Sequence, residues 1–119
     1  KRYLLRTPEE FVRQSLMAHL VNDLGYPQLM FTSEQGLNQN GLLKRTDLRV
    51  FKRSRCCMLI ECKAPHIPLN QKVLDQVLKY NREVAAPWVI LSNGLQHIVA
   101  WMGEGPPRYA PNIPPYTEL

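Results

Sequence analysis

Cysteine is scarce in this chain, and its placement argues against a covalent framework. Cys56, Cys57 and Cys62 are odd in number, two of them are adjacent, and two fall in an apolar run that reads as a core strand. That pattern points to a reducing, cytoplasmic compartment rather than to disulfides. There is no C-x-x-C, and His19, His66 and His97 lie far apart, which argues against a zinc site. No apolar run approaches the roughly 20 residues of a membrane span, and no signal-peptide core is present, so no membrane partner is expected. A G-x-x-x-x-G-K-[ST] phosphate loop is also missing, so the chain cannot power translocation along a polymer by itself. Acidic residues are few as well: 10 Asp and Glu against 15 Lys and Arg leave a net charge of +5. That balance favours an anionic partner, nucleic acid first among them.

What remains is an ordinary globular composition, 45% hydrophobic and 21% charged over 119 residues, enough for one domain with a modest core. The chain begins with Lys1 rather than Met, which predicts either a trimmed chain or a domain excised from something longer. Thr7-Pro8-Glu9-Glu10 opens a helix, with Thr7 as N-cap, Pro8 at the first helical position and Glu10 completing a capping box. Val12, Leu16, Leu20 and Leu24 form its apolar stripe and Gly25 ends it. Leu29 to Leu37 reads as a strand, Asn38-Gln39-Asn40-Gly41 as a turn, and Lys44 to Lys52 and Cys57 to Lys63 as two more strands. Pro65 and Pro68 interrupt the chain before a second helix from Leu69 to about Val84. Trp88 to Ser92 and Gln96 to Met102 read as short strands on either side of an Asn93-Gly94 turn. From Gly103 on, five prolines between Pro106 and Pro115 predict an extended tail, residues 103–119, with no core of its own. The domain proper is then residues 1–102: a mixed α/β sheet flanked by helices.

The chemistry concentrates on the second and third strands. Asp47 lies in Arg45-Thr46-Asp47-Leu48-Arg49, and Glu61 and Lys63 close the run Met58-Leu59-Ile60-Glu61-Cys62-Lys63. Alternation along a strand puts Glu61 and Lys63 on one face and Ile60 and Cys62 on the other. If the two strands pair, Asp47 reaches the Glu61 face, and two carboxylates converge with an ammonium. Carboxylates that hold Mg²⁺ and a lysine that orients water or steadies charge on phosphate suit phosphodiester hydrolysis. The same triplet also occurs on plain solvated strand faces. Lys44, Arg45, Arg49, Lys52, Arg53 and Arg55 crowd this strand pair and could lie along a phosphate backbone. Lys52-Arg53-Ser54-Arg55 reads equally well as a solvated hairpin turn.

Six features in order resemble the PD-(D/E)XK nuclease superfamily, and within it the N-terminal nuclease domain of type I restriction enzyme R subunits. They are Glu9 or Glu10 followed by Val12-Arg13-Gln14, Leu24-Gly25-Tyr26-Pro27, Arg45-x-Asp47, Ile60-Glu61-Cys62-Lys63-Ala64-Pro65, Gln76-x-x-x-Tyr80 and Ser92-Asn93-Gly94. The resemblance implies a restriction-endonuclease-like α-β-β-β-α-β core. It implies that Asp47 and Glu61 bind a catalytic Mg²⁺ (or Mn²⁺) and that Lys63 acts on the attacking water or the scissile phosphate. It also implies that Gln76 and Tyr80, one helical turn apart, stand near the site. On residue type alone, Tyr80 reads as a core aromatic and Gln76 as an exposed neighbour. A first-helix glutamate would support the metal. Glu9 shares the apolar stripe while Glu10 has the cap to serve, and Glu34 on the first strand is a third candidate.

Two positions depart from the superfamily pattern. Thr46 stands where the name-giving proline would be, and Cys62 fills the centre of Glu-x-Lys as a small hydrophobe. Neither removes a ligand. The implied activity is that of a Mg²⁺-dependent DNA endonuclease domain, with DNA, other restriction-modification subunits or a second copy of itself as partners. The competing expectation is a nuclease-fold module without activity that binds nucleic acid or a partner protein.

Overall fold

A computed structural model describes the backbone of residues 7–37 and 43–119 and the side chains of residues 7–33 and 48–119. The Asn38–Gly41 turn therefore lies outside the described residues, as do the side chains of Glu34, Lys44, Arg45 and Asp47. The chain runs α1 (Pro8–Leu24), β1 (Phe31–Leu37), β2 (Leu43–Lys52), β3 (Arg55–Cys62), α2 (Gln71–Val84), β4 (Trp88–Ser92), β5 (His97–Trp101) and β6 (Arg108–Ala110). The strands form one sheet in sequence order, antiparallel throughout except for the parallel β3–β4 pair.

Local chemistry explains the helix ends. Thr7 Oγ1 accepts from Glu10 N at 3.0 Å, and Gly25, at φ 76°, closes α1 with its N–H on Leu20 O. The left-handed conformation at that cap is one glycine adopts without steric cost. Asn70 caps α2 by accepting from Val73 N at 3.0 Å, so α2 starts at Gln71 rather than at Leu69. At its far end the buried Asn81 side chain both donates to Ala86 O and accepts from Ala86 N, fixing the exit toward β4. The expected strand start at Leu29 is also displaced: Gln28–Met30 forms a 3-10 turn, and β1 begins at Phe31.

Alternation along β3 divides the core into two layers. Met58, Ile60 and Cys62 meet Val12, Leu16 and Leu20 of α1, together with Leu48, Val50, Ile90 and Val99. Leu59 meets Leu74 and Val77 of α2, with Val89, Leu91 and Ala100. Because β3 is covered on both faces, its middle is continuously apolar and Met58, Leu59 and Ile60 are fully buried. The parallel step from β3 to β4 needs a crossover, and α2 supplies it.

The proline-rich segment has no core of its own and shares that of the sheet. Its residues 108–110 pair with β5, Ile113 is buried in the α1-side core, and Tyr116 packs against that core. The anchor is Tyr26, itself fully buried, whose hydroxyl donates to Pro114 O at 2.7 Å while its ring meets Tyr116 edge-on. Burial raises the Tyr26 pKa well above the usual phenol range, so the hydroxyl stays a donor at any physiological pH. Tyr26→Phe keeps the packing and strands a buried carbonyl, an expected loss of about 1–3 kcal/mol in urea denaturation. Limited proteolysis of the same variant is expected to cut first beyond Ala110.

Candidate active site

The carboxyl end of β3 holds the strongest concentration of chemistry. Lys63 Nζ stands 3.4 Å from Glu61 Oε2, and the two side chains are only 26% and 16% exposed. Partial burial limits solvent screening, so this pair is held more firmly than an ordinary surface bridge. The backbone of Lys63 is fixed as well, its N–H donating to Ser92 O at 2.8 Å in continuation of the β3–β4 ladder. The loop that follows is pinned by Asn93, whose Nδ2 donates to Ile67 O at 2.9 Å. Asn93 Oδ1 meanwhile accepts from Leu95 N and Gln96 N and shapes the β4–β5 turn. Gly94 is required there, because φ is 87° and a Cβ would come within 3.2 Å of Val12. Sequence alone marks Ser92-Asn93-Gly94 as a motif; the structure shows that it supports the residues flanking Lys63.

Asp47 enters through register. Leu48 pairs with Ile60 across the antiparallel β2–β3 ladder, and Asp47 and Glu61 are the next residues along their strands at the same end of that pair. On its other side Asp47 pairs with Glu34 of β1, immediately before a register shift between Glu34 and Gln35. Such an irregularity locally bends a strand and often lies beside a functional site.

Arg49, two residues after Asp47, reaches across to α2. Its Nη2 donates to Tyr80 OH at 2.8 Å. Arg49 pairs with Leu59 in the ladder, so this contact lies about 7 Å along β3 from Glu61, on the α2 side. Arg49, expected on phosphate, is thus engaged with Tyr80, and Tyr80 is neither a pure core residue nor free in solvent. Gln76 is exposed one helical turn earlier. α2 returns from the carboxyl end of β3 to the amino end of β4, so Gln76 stands on the side of Tyr80 nearer Lys63.

The first-helix glutamates approach from the opposite layer. Both bear electrostatically on the Cys62 thiol, which alternation places on the α1 side of β3, away from Glu61. Glu10 is engaged with Gln14 and Arg13. Glu9 is half-buried and makes no hydrogen bond or ion pair among the described residues. No group of three His, Cys, Asp or Glu side chains that could hold a metal is assembled among the described residues. The oxygen donors at this end, the Glu61 carboxylate and Asp47 on the adjoining strand, are of the hard type that suits Mg²⁺ or Mn²⁺.

The six basic residues do not crowd together around Asp47. Lys44, Arg45 and Arg49 lie on the part of β2 nearest it, whereas Lys52, Arg53 and Arg55 sit at the β2–β3 turn. Glu61 lies six positions after Arg55 along β3, about 20 Å away. Lys52 is held by the chain's end: its Nζ donates to Tyr116 O at 3.1 Å and Leu119 O at 3.0 Å.

A two-layered mixed sheet with a Glu-x-Lys pair at the carboxyl end of its central strand defines a restriction-endonuclease-like domain. Over residues 8–114 the chain matches the family described as the type I restriction enzyme R protein N terminus, and it belongs to that family. No curated protein and no solved structure matches it. No described helix is long and apolar enough to cross a membrane.

Two of the three thiols are protected. Burial, then the neighbouring Glu61 carboxylate, pushes the Cys62 thiol up to about 12, and burial likewise raises Cys57, whose Sγ lies 3.3 Å from Val50 O. Only thiolates alkylate readily. Iodoacetamide at pH 8 is therefore expected to label the native protein at the half-buried Cys56 first, and all three cysteines only in urea, as read by peptide mass mapping.

Proposed function

We propose that this domain is a Mg²⁺- or Mn²⁺-dependent DNA endonuclease, the cutting module of a type I restriction enzyme R protein. The observation that carries the reading is the Glu61–Lys63 pair, 3.4 Å apart at the end of β3, with Asp47 next to it by strand register. Asp47 and Glu61 would hold the divalent ion; the first-helix glutamates Glu9 and Glu10 lie in the layer on the other face of the sheet and are not assigned to it. A bound ion supplies an activated water and neutralises charge on the phosphate.

The remaining work falls to the chain's own side chains. Glu61 holds the Lys63 ammonium in place, and that ammonium can orient the attacking water or share charge with a non-bridging phosphate oxygen. Tyr80 anchors Arg49 on the same side of the sheet, where its guanidinium adds positive potential along the path of the phosphate backbone. Phosphate contacts of this kind position a duplex without reading its sequence. Target selection then belongs to other parts of the restriction-modification assembly.

Cleavage of supercoiled plasmid by the purified chain with Mg²⁺ or Mn²⁺ tests the reading. Lys63→Ala and Asp47→Ala are each expected to slow nicking by roughly 10²–10³-fold, with circular dichroism unchanged. A wild-type chain that neither cuts nor takes up Mn²⁺ by calorimetry would replace the nuclease with a binding module of the same fold. Uptake without cutting, lost in Asp47→Ala, would place the ligands correctly and assign activity to the assembled enzyme.

A further inference from the structure

We propose that the cleft at the β2–β3 turn is a second phosphate-binding site, built for a nucleotide unit and separate from the Glu61–Lys63 end of the sheet. The cleft encloses about 640 Å³, within the range of small-ligand sites. Lys52, Arg53 and Arg55 form one side, Pro87 contributes apolar surface, and Thr117 and Leu119 form the other side. Among the described residues, no Asp or Glu side chain lines it. Lys52 is held in place, because Tyr116 O and Leu119 O accept from its ammonium and the Tyr116 ring lies 5.0 Å from Nζ. Arg53 and Arg55 are exposed, and neither makes a salt bridge with a described carboxylate. Guanidinium groups in this situation match phosphate oxygens in a two-pronged geometry, and the apolar wall offers surface to a base or sugar.

Arg53 and Ser54 connect β2 to β3 as a two-residue loop with φ of 54° and 66°. Hairpin turns with both central residues at positive φ favour Asn-Gly, which adopts them with little strain. This chain places Arg-Ser there instead, keeping a guanidinium at the lip of the cleft at a conformational cost. Strained backbone that persists at a charged cleft is a mark of function.

The ligand chemistry is a nucleotide phosphate, from a free nucleotide or from a strand of nucleic acid. A strand is compatible with the second source. If the nuclease reading holds, the roughly 20 Å between Arg55 and Glu61 corresponds to about six nucleotides of one DNA strand at 3.4 Å each.

Two variants of the full 119-residue chain separate charge from folding. Arg53→Asn with Ser54→Gly improves the turn and removes one guanidinium; adding Arg55→Thr removes the other. Binding is read in EDTA, so the outcome does not depend on whether the carboxylate end cuts. The probes are a labelled oligonucleotide of about twelve nucleotides, roughly twice the proposed span, followed by anisotropy, and adenosine diphosphate, followed by calorimetry. Both variants are expected to melt at or above the wild-type temperature. For a strand ligand, the triple variant is expected to bind the oligonucleotide at least about tenfold more weakly, with a log–log salt slope shallower by about 1.4 for two lost phosphate contacts. For a free nucleotide, the diphosphate binds wild type and is lost in the triple variant while the oligonucleotide salt slope stays the same. Wild type and triple variant indistinguishable with both probes would overturn the proposal. So would loss of binding accompanied by a lowered melting temperature in the turn-improving variant.

Discussion

The parallel pairing of β3 with β4 is the constraint on which most of this molecule depends. Parallel neighbours cannot be joined by a tight turn, so the chain must leave the carboxyl end of β3, cross the sheet and re-enter at the amino end of β4. That single requirement places α2 over the Leu59 layer and brings Tyr80 to Arg49. It also leaves the Lys63–Asn70 connection to be tied down at the sheet's end, through Lys63 N to Ser92 O and Asn93 to Ile67 O. In open α/β sheets the space beyond the carboxyl ends of parallel strands is where ligands bind, because adjoining connections diverge there. Glu61 and Lys63 occupy that position because β3 ends there.

The distribution of charge follows from the same scaffold. A two-residue hairpin reverses the chain at Arg53-Ser54, so residues near Asp47 in sequence are carried to the other end of the sheet within a few positions. The positive field that the sequence implies is therefore divided between two ends of one rigid strand pair. One part stands beside carboxylates, where Lys63 is paired. The other stands in a cleft where, among the described residues, no Asp or Glu side chain forms the lining. For a polyanion these are different environments. At the first, cation and carboxylate together suit metal-assisted chemistry; at the second, exposed guanidinium groups favour attraction.

Much of the fold was legible because its signals are local. A threonine-proline-glutamate start, a left-handed glycine stop and alternation broken by prolines each act within a few residues, and α1, β3 and β4 follow from them. The contact between Glu61 and Lys63 follows from strand alternation alone. What escaped has no local signature. Tyr26 follows a glycine and precedes a proline, outside any periodic run, yet it is the hinge pin for the chain's last residues. The proline-rich segment shows no periodicity, so nothing in it announces that Ile113 enters the core or that Tyr116 and Leu119 capture Lys52. The sequence suggests a phosphate contact for Arg49 but not its pairing with Tyr80, since that pairing exists only once α2 has crossed the sheet.

The position of Cys62 shows how tightly the site and the core are joined. One residue separates Glu61 from Lys63, and its side chain must enter the α1 layer beside Leu16 and Ile60, a layer already closed by fully buried neighbours. A small apolar thiol fits; a branched or longer side chain would push the strand end outward and take both charges with it. Strain in a close-packed core is not absorbed locally, so a substitution facing away from the chemistry would still displace it. The same rigidity has a use. Glu61 and Lys63 extend from a strand whose preceding three residues are fully buried, so their separation is set by core packing rather than by the conformational freedom of a loop. A site that must hold a carboxylate and an ammonium at a fixed distance is well built on such a strand.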